Sequence, residues 1–161
     1  MPTPKEFLED VIRPTLMGIN KHSIVAEQLL LGTAIQESRL KYLNQLGGGP
    51  ALGYFQMEPN THDDIWKNYL AYRNHLAAKV CAVGEISTTN LPDSTILASN
   101  HRYAAAMARV HYLRVPATLP LAGDINAIAG YWKQHYNTYG GKGTIDEFVI
   151  NWQKAGAGAL F

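Results

Sequence analysis

The spacing of apolar residues along the chain is typical of helices rather than strands. Apolar residues between positions 7 and 12 recur at intervals of three and four, which places them on one helix face. Residues 3–6 (Thr-Pro-Lys-Glu) form a capping box with proline at the first helical position. The pattern predicts a helix from there to about Met17, with Pro14 bending it or ending it early.

The second predicted helix is apolar around most of its circumference. It begins after Ser23, a plausible N-cap, and runs to about Glu37. A helix without a polar face is buried on all sides, so this one is predicted to be the central helix of the fold.

The rest of the chain continues the helical pattern, with one glycine-rich interruption. Residues 44–57 predict a short β-hairpin or an ordered loop. Asn60 or Thr61 can cap the next helix. Further helices are predicted over residues 60–83, with a break near Tyr72, and over residues 99–115. Asp124 begins another helix that runs to about Tyr139 and is followed by a stop at residues 140–143. The last predicted helix runs from a capping box at Thr144 to Gln153. The pattern predicts a mainly α fold with residues 1–161 as a single domain.

Composition narrows the functional classes. The 161 residues carry a net charge of +1 without a basic block, so nucleic acid is not an expected partner. No apolar run approaches the roughly 18 residues that a membrane helix needs, so no membrane insertion is expected. The N-terminus has no apolar signal-peptide region. Cys81 is the only cysteine, so no intrachain disulfide forms, and it is predicted to be a small core residue.

Metal and cofactor chemistry is not indicated. The six histidines are scattered, without a His-Glu-x-x-His motif or a Cys/His cluster. Residues 141–144 resemble a phosphate loop only in part and are better explained as a loop with a helix cap. We therefore expect no metal and no cofactor.

Glu37 is the strongest candidate for chemistry. A carboxyl group at the C-terminal end of a helix meets the negative end of the dipole, and burial against an apolar helix also disfavours its ionised form. Both effects raise its pKa toward the range of a general acid at neutral pH. Alternatively, Glu37 is a solvated acid paired with Arg39 or Lys41.

Residues 34–40 contain a Glu-Ser pair at a helix end, and residues 49–59 contain Gly-Tyr-Phe-Gln. Residues 105–113 end in Tyr-Leu, and residues 128–133 contain Tyr131 followed by Trp132. These segments resemble the lysozyme superfamily, in particular soluble lytic transglycosylases and goose-type lysozymes. Residues 128–133 keep the family's tyrosine but have Trp132 in place of its asparagine, and residues 105–113 lack the family's Asn and Gly. The resemblance covers residues 24 to 136. It implies a lysozyme-like domain with a central buried helix.

The resemblance also implies roles for individual residues. Glu37 would be the general acid, and Ser38 would orient it or the substrate's N-acetyl group. Gly53 and Tyr54 would bring backbone close to a sugar. The alternative is that Gly53 is an ordinary turn glycine and Tyr54 a core contact.

Two further residues take roles from the resemblance. Gln56 would bind substrate or support the acid, and Tyr131 would place its hydroxyl near the acid. In both cases the alternative is a hydrogen bond satisfied inside the core. The nearby aromatic residues around Tyr131 would either line a sugar groove or form a half-buried helix face.

The number of acids bears on the mechanism. Glycoside hydrolases commonly use two carboxylates, but no Asp or Glu lies between Glu37 and Gln56. Glu58 is the nearest possible second acid, although it is also explained as a loop or cap residue. A single acid favours attack by the substrate's own 2-acetamido group, followed by formation of a 1,6-anhydro product.

We therefore expect a lytic transglycosylase that cleaves the β-1,4 bond between N-acetylmuramic acid and N-acetylglucosamine in peptidoglycan glycan strands. The alternatives are a hydrolytic muramidase of the same fold, and a non-catalytic wall-binding or virion structural domain. The small size and the absence of a signal peptide and a disulfide indicate a bacterial or bacteriophage origin, and we expect a bacteriophage protein made in the host cytoplasm. It would act on the bacterial cell wall as an endolysin or as a virion component associated with other virion proteins.

Overall fold

The computed structural model describes residues 1–87, 90–137 and 141–161, and this part of the chain is mainly helical. In chain order the α-helices are α1 (Pro4–Phe7), α2 (Arg13–Gly18), α3 (Ile24–Ser38), α4 (Pro59–Asn68), α5 (Asn74–Val83), α6 (Ile96–Ser99), α7 (His101–Leu113), α8 (Ile125–His135) and α9 (Ile145–Lys154). A π-helical stretch (Leu8–Ile12) joins α1 to α2, and 3₁₀ turns lie at Leu70–Tyr72 and Ala157–Leu160. The predicted mainly α class is confirmed. The predicted helix end at Tyr139 and the start of the stop at Gly140 lie outside the described residues.

The first helical segment does not end at its proline. The capping box is present, because Thr3 Oγ1 accepts from the Glu6 N–H at 3.1 Å and the Glu6 carboxylate accepts from the Thr3 N–H at 3.0 Å. Proline crowds the carbonyl group four residues before it. The wider π-helical stretch lies directly before Pro14, where the Arg13 N–H reaches the Leu8 carbonyl, and the helix then continues to Gly18.

Helix α3 is the centre of the fold. Ser23 caps it, since its hydroxyl accepts from the Ala26 N–H at 3.1 Å. An unbroken run of buried residues from Ala26 to Ile35 packs against α7, α8, α9 and the N-terminal helical segment. The predicted central buried helix is confirmed and extends one residue further, to Ser38.

The glycine-rich segment is an ordered loop. Its only ladder pairs within the described residues are two isolated bridges, Asn44 with Leu52 and Leu52 with Met57. The Gly53 N–H also donates to the Leu43 carbonyl at 2.7 Å. Of the two predicted alternatives, the structure has the loop rather than a hairpin.

Helix α4 begins earlier than a side-chain cap predicts. Its N-cap is Glu58, whose side chain makes no capping hydrogen bond, and Pro59 occupies the first helical position. The fixed φ of proline suits that position and needs no N–H donor, so Pro59 sets the start instead of Asn60 or Thr61. The predicted break near Tyr72 is present as the 3₁₀ turn before α5.

One hydrophobic core runs through the described part of the chain, from Phe7 to Ala157. Its largest side chains include Trp66, Trp132 and Tyr103, and Cys81 is buried in it as predicted. None of the described helices combines the length and the apolar character that crossing a membrane requires.

Candidate functional site

An open cleft of about 1260 Å³ lies at the C-terminal end of α3. Its walls come from the end of α3, the loop that follows it, the start of α4, the end of α7, residues 136–137 and 141–143, and the first turn of α9. Three carboxylates line it within the described residues: Glu37, Glu58 and Glu147. Glu37, near the C-terminal end of α3, therefore lies at an open groove rather than in a sealed core.

Glu37 has the environment of a proton donor. Its carboxylate accepts a hydrogen bond from Trp132 Nε1 at 3.0 Å. Burial raises the pKa of Glu37 from the ordinary value of 4.5 to about 7, although the Trp132 hydrogen bond and the charge of Lys133 act in the opposite direction. At neutral pH, both protonation states of this carboxyl group are substantially populated.

The same helix carries a second buried acid, which differs because of its partners. Glu27 accepts from Arg13 Nε at 2.8 Å and Arg13 Nη2 at 3.1 Å, and it contacts His22 Nε2 at 2.7 Å. Burial alone raises the pKa of Glu27, but the hydrogen bonds from Arg13 and His22 outweigh it and the net shift is downward. Glu27 is therefore held ionised as part of the structure, whereas Glu37 is poised to exchange a proton.

The alternative of a surface ion pair does not describe Glu37. Arg39 and Lys41 both line the cleft, but neither forms an ion pair with Glu37 in the part of the chain that the structure describes. The helix ends at Ser38, and both Arg39 (φ 57°) and Leu40 (φ 55°) are left-handed. This turn leads the chain away from the helix axis immediately after the acid.

Ser38 also lines the cleft, but its hydroxyl is engaged in the helix terminus. It donates to the Ala34 carbonyl at 3.0 Å and accepts from the Leu40 N–H at 3.2 Å, and the residue is buried. These bonds hold the strained turn after α3. Ser38 thus supports the backbone that carries Glu37.

Gly53 and Tyr54 are not among the cleft-lining residues. Tyr54 is buried and packs edge-on against Phe7, with ring centroids 5.5 Å apart, and against His101 at 4.8 Å. Gly53 has a φ of +76°, and a Cβ atom there would lie 2.2 Å from the Leu97 carbonyl oxygen. The geometry therefore matches the alternatives of a core tyrosine and a turn glycine.

This close approach makes Gly53 a test of how the cleft loop is held. We expect Gly53→Ala to destabilise the protein by about 1–2 kcal/mol through its left-handed backbone and by about 1–3 kcal/mol more through the clash with Leu97. Gly123→Ala is the matched control, because its φ is +84° but nothing lies within 4 Å of the added Cβ. Urea unfolding of both variants measures the difference. Equal losses of stability would show that Leu97 does not crowd Gly53.

Gln56 and Glu58 do line the cleft. The Gln56 side chain donates from Nε2 to the Gly53 carbonyl at 2.9 Å, and Gln56 itself is left-handed with a φ of 48°. Glu58 is exposed at the start of α4. Glu147, in the first turn of α9, is an additional acid of the cleft, and the sequence pattern predicts it only as part of the Thr144 capping box.

The tyrosine beside the acid is Tyr136, not Tyr131. The Tyr131 hydroxyl donates to the Ala117 carbonyl at 3.0 Å, and Tyr131 is not among the residues that line the cleft. Tyr136 lines the cleft, and its hydroxyl donates to the Phe55 carbonyl at 2.6 Å. Burial and the nearby charge of Glu37 raise the pKa of Tyr136 well above its ordinary value.

The register of α8 explains this difference. Trp132 and Tyr136 are four residues apart and so lie on one face of the helix, whereas Tyr131 lies about 100° away. Trp132 is fully buried and packs against Phe148 in a tilted arrangement, with ring centroids 5.2 Å apart. Trp132, where the chain departs from the motif that it resembles, is therefore the residue that donates to the acid. Its position in a row of aromatic residues was the available sequence signal.

Lys133 and His111 complete the surroundings of the acid. Lys133 Nζ donates to the carbonyls of Gly141 at 3.1 Å and Gly143 at 2.6 Å, which fixes the loop on one wall. His111 lines the cleft and accepts at Nδ1 from Arg114 Nη2 at 2.8 Å, since a guanidinium can only donate. Burial and the Arg114 charge lower the pKa of His111 to about 4, so the imidazole is neutral at pH 7.

Within residues 1–87, 90–137 and 141–161, no three His, Cys, Asp or Glu side chains come together in a way that could hold a metal ion. Comparison of the chain with protein-family models, with curated proteins and with solved structures gives no match.

Proposed function

We propose that this protein is a lytic transglycosylase that cleaves the β-1,4 bond between N-acetylmuramic acid and N-acetylglucosamine. The observation that carries the proposal is Glu37, a largely buried carboxyl with a pKa of about 7 at the wall of an open cleft. The cleft exceeds the roughly 300–1,000 Å³ of small-molecule pockets, as a groove for a polymer would.

In the proposed reaction, Glu37 first acts as an acid. It gives its proton to the glycosidic oxygen as the bond from that oxygen to C1 breaks, while the carbonyl oxygen of the 2-acetamido group bonds to C1. Glu37 then acts as a base and takes the proton of the 6-hydroxyl. O6 attacks C1, the bond from the acetamido oxygen breaks, and Glu37 is again protonated beside a 1,6-anhydro product.

A pKa near neutrality suits a group that must both give and take a proton in one cycle. The Trp132 N–H stabilises the carboxylate that exists between the two steps, and burial stabilises the protonated form that begins the cycle. Ser38 and Lys133 act one step further away, because they hold the helix end and the 141–143 loop that frame the acid.

The second candidate is a hydrolytic muramidase, and the exposed acids of the same cleft favour it. Glu58 or Glu147 would then activate a water molecule on the opposite face of the sugar. A third possibility is a wall-binding or virion domain without catalysis, which would use the same cleft to hold glycan strands.

Product analysis of purified peptidoglycan distinguishes these three functions. We expect mass spectrometry to find muropeptides with the 1,6-anhydro mass. Products that carry one added water would replace the proposal with the hydrolytic one. Binding to peptidoglycan without released fragments would favour a non-catalytic wall protein.

A further inference from the structure

A second concave surface lies away from the acid, and it is lined by basic side chains. This cationic groove has a volume of about 570 Å³ and is formed by residues 19–21, residues 72–76, Tyr69, Lys79 and Leu113. Its permanently charged residues are Lys21, Arg73 and Lys79, and His75 also lines it. It shares no lining residue with the Glu37 cleft in the part of the chain that the structure describes.

The charge of the groove is not balanced by the protein. No Asp or Glu is among its lining residues, and none of its three cations forms an ion pair with the described residues. The whole chain carries only +1, so the residues outside the groove are net negative. Three like charges around one concavity repel each other, and an anion bound there would relieve that repulsion.

Arg73 is held in position for such a ligand. Its guanidinium carbon lies 3.7 Å above the ring centroid of Tyr69, and Nη1 donates to the Tyr69 carbonyl at 3.1 Å. A stacked guanidinium loses less entropy on binding than a free one and keeps its other N–H donors available. Lys21 lines the groove from the connection between α2 and α3, whereas Arg73 directly precedes α5 and Lys79 lies within it.

The neutral lining adds hydrogen-bonding and stacking groups. Asn20 and Asn74 contribute side-chain amides, and Tyr72 is 79 % exposed beside them. Residues 74–76 are also the first turn of α5, which no side chain caps, so the helix dipole adds to the positive field of the three side chains. Amides and an exposed aromatic ring suit the hydroxyl groups and carbon faces of a polyol or sugar.

We propose that the cationic groove binds the phosphate group of a polyol or sugar phosphate, or free phosphate itself. Three cations around one groove match the two charges of a phosphate monoester or the repeated charges of a phosphodiester chain better than the single charge of a carboxylate. The proposal goes beyond glycan cleavage and does not depend on it, because the cleft and the groove are separate surfaces.

The proposal is tested by adding each of two probes, inorganic phosphate or an oligomer of glycerol phosphate, to the full chain and following the amide chemical shifts of the protein by NMR. At constant ionic strength we expect saturable shifts at residues 73–79 and near Lys21. The double variant Lys21→Gln/Lys79→Gln should weaken binding at least about tenfold. The control Lys67→Gln/Lys154→Gln removes the same charge from exposed sites outside both surfaces, and we expect less than about a twofold change.

The two probes also identify the source of the phosphate. Similar affinity per phosphate group would indicate free phosphate, and much tighter binding of the oligomer would indicate a phosphodiester polymer. Equal weakening by both double variants would show general charge attraction and overturn the proposal, as would the absence of saturable shifts in the wild-type protein. Glu37→Gln should bind both probes like wild type, so failure of the glycan activity leaves this result intact.

Discussion

Replacing Glu37 by Gln should lower the rate of peptidoglycan cleavage by at least about 100-fold, because a positioned general acid contributes on the order of 10²–10⁴. Gln has nearly the same shape and keeps an oxygen that can accept from Trp132 Nε1, so the fold and the cleft should survive. The measurement is the loss of turbidity of purified walls, with released muropeptides quantified by mass spectrometry. Full activity in the variant would remove Glu37 from the role of acid.

The other two acids of the cleft supply the matched controls. In the one-carboxylate mechanism, Glu58→Gln and Glu147→Gln change the rate by no more than a few-fold, because neither acid takes part in bond cleavage. A loss in either variant as large as that of Glu37→Gln would favour the hydrolytic, two-carboxylate mechanism. Circular dichroism of all three variants verifies that the helices are retained.

Glu37→Gln should also be more stable than the wild type at alkaline pH. The folded protein holds the Glu37 proton up to a pKa of about 7, whereas the unfolded chain releases it near 4.5. The folded state therefore binds more protons between these values, and wild-type stability falls as pH rises through this interval. The shift corresponds to about 3 kcal/mol, which the neutral Gln does not lose.

Urea unfolding at pH 4 and pH 8 measures this effect. We expect the two proteins to have similar free energies of unfolding at pH 4 and the variant to be more stable at pH 8. Glu27→Gln is the control of opposite sign, because folding lowers the pKa of Glu27. The ionised Glu27 carboxylate stabilises the folded state fully above its unfolded pKa, and this stabilisation is lost as the pH falls through the folded pKa. Glu27→Gln should have a lower free energy of unfolding than the wild type at pH 8, and a smaller difference from it at pH 4. A constant difference between Glu37→Gln and wild type would contradict a raised pKa.

Much of the secondary structure could be predicted because its signals are local. Ser23 and Thr144 accept from backbone N–H groups within three residues, as their positions before the helices predict. The apolar run between Ser23 and Glu37 also identifies a helix that must be buried on every side. Two local predictions failed to anticipate the backbone. Helix α4 starts at Pro59 instead of after a side-chain cap, and a π-helical stretch accommodates Pro14 so that the helix continues. Both outcomes depend on backbone geometry, which residue type does not specify alone.

The candidate site was predicted in part. The position of Glu37 at the end of a buried helix was sufficient to nominate it. Tyr131 was nominated by motif resemblance, but it lies on a different face of α8 from Trp132, and Tyr136, five residues later, lines the cleft instead. No motif indicated Glu147 as an acid of the cleft, because its proximity to the cleft follows from the packing of α9 against α3.

The sequence by itself determined where most helices form and that Glu37 ends an apolar helix, because caps and apolar spacing act over a few residues. Only the tertiary structure decided which partners each acid of α3 meets, and so whether it is held ionised. Glu27 meets Arg13 and His22, which keep it ionised, whereas Glu37 meets the neutral donor Trp132, 95 positions away in the chain. The pKa of a buried carboxyl depends on such distant partners, and helix packing alone brings them together.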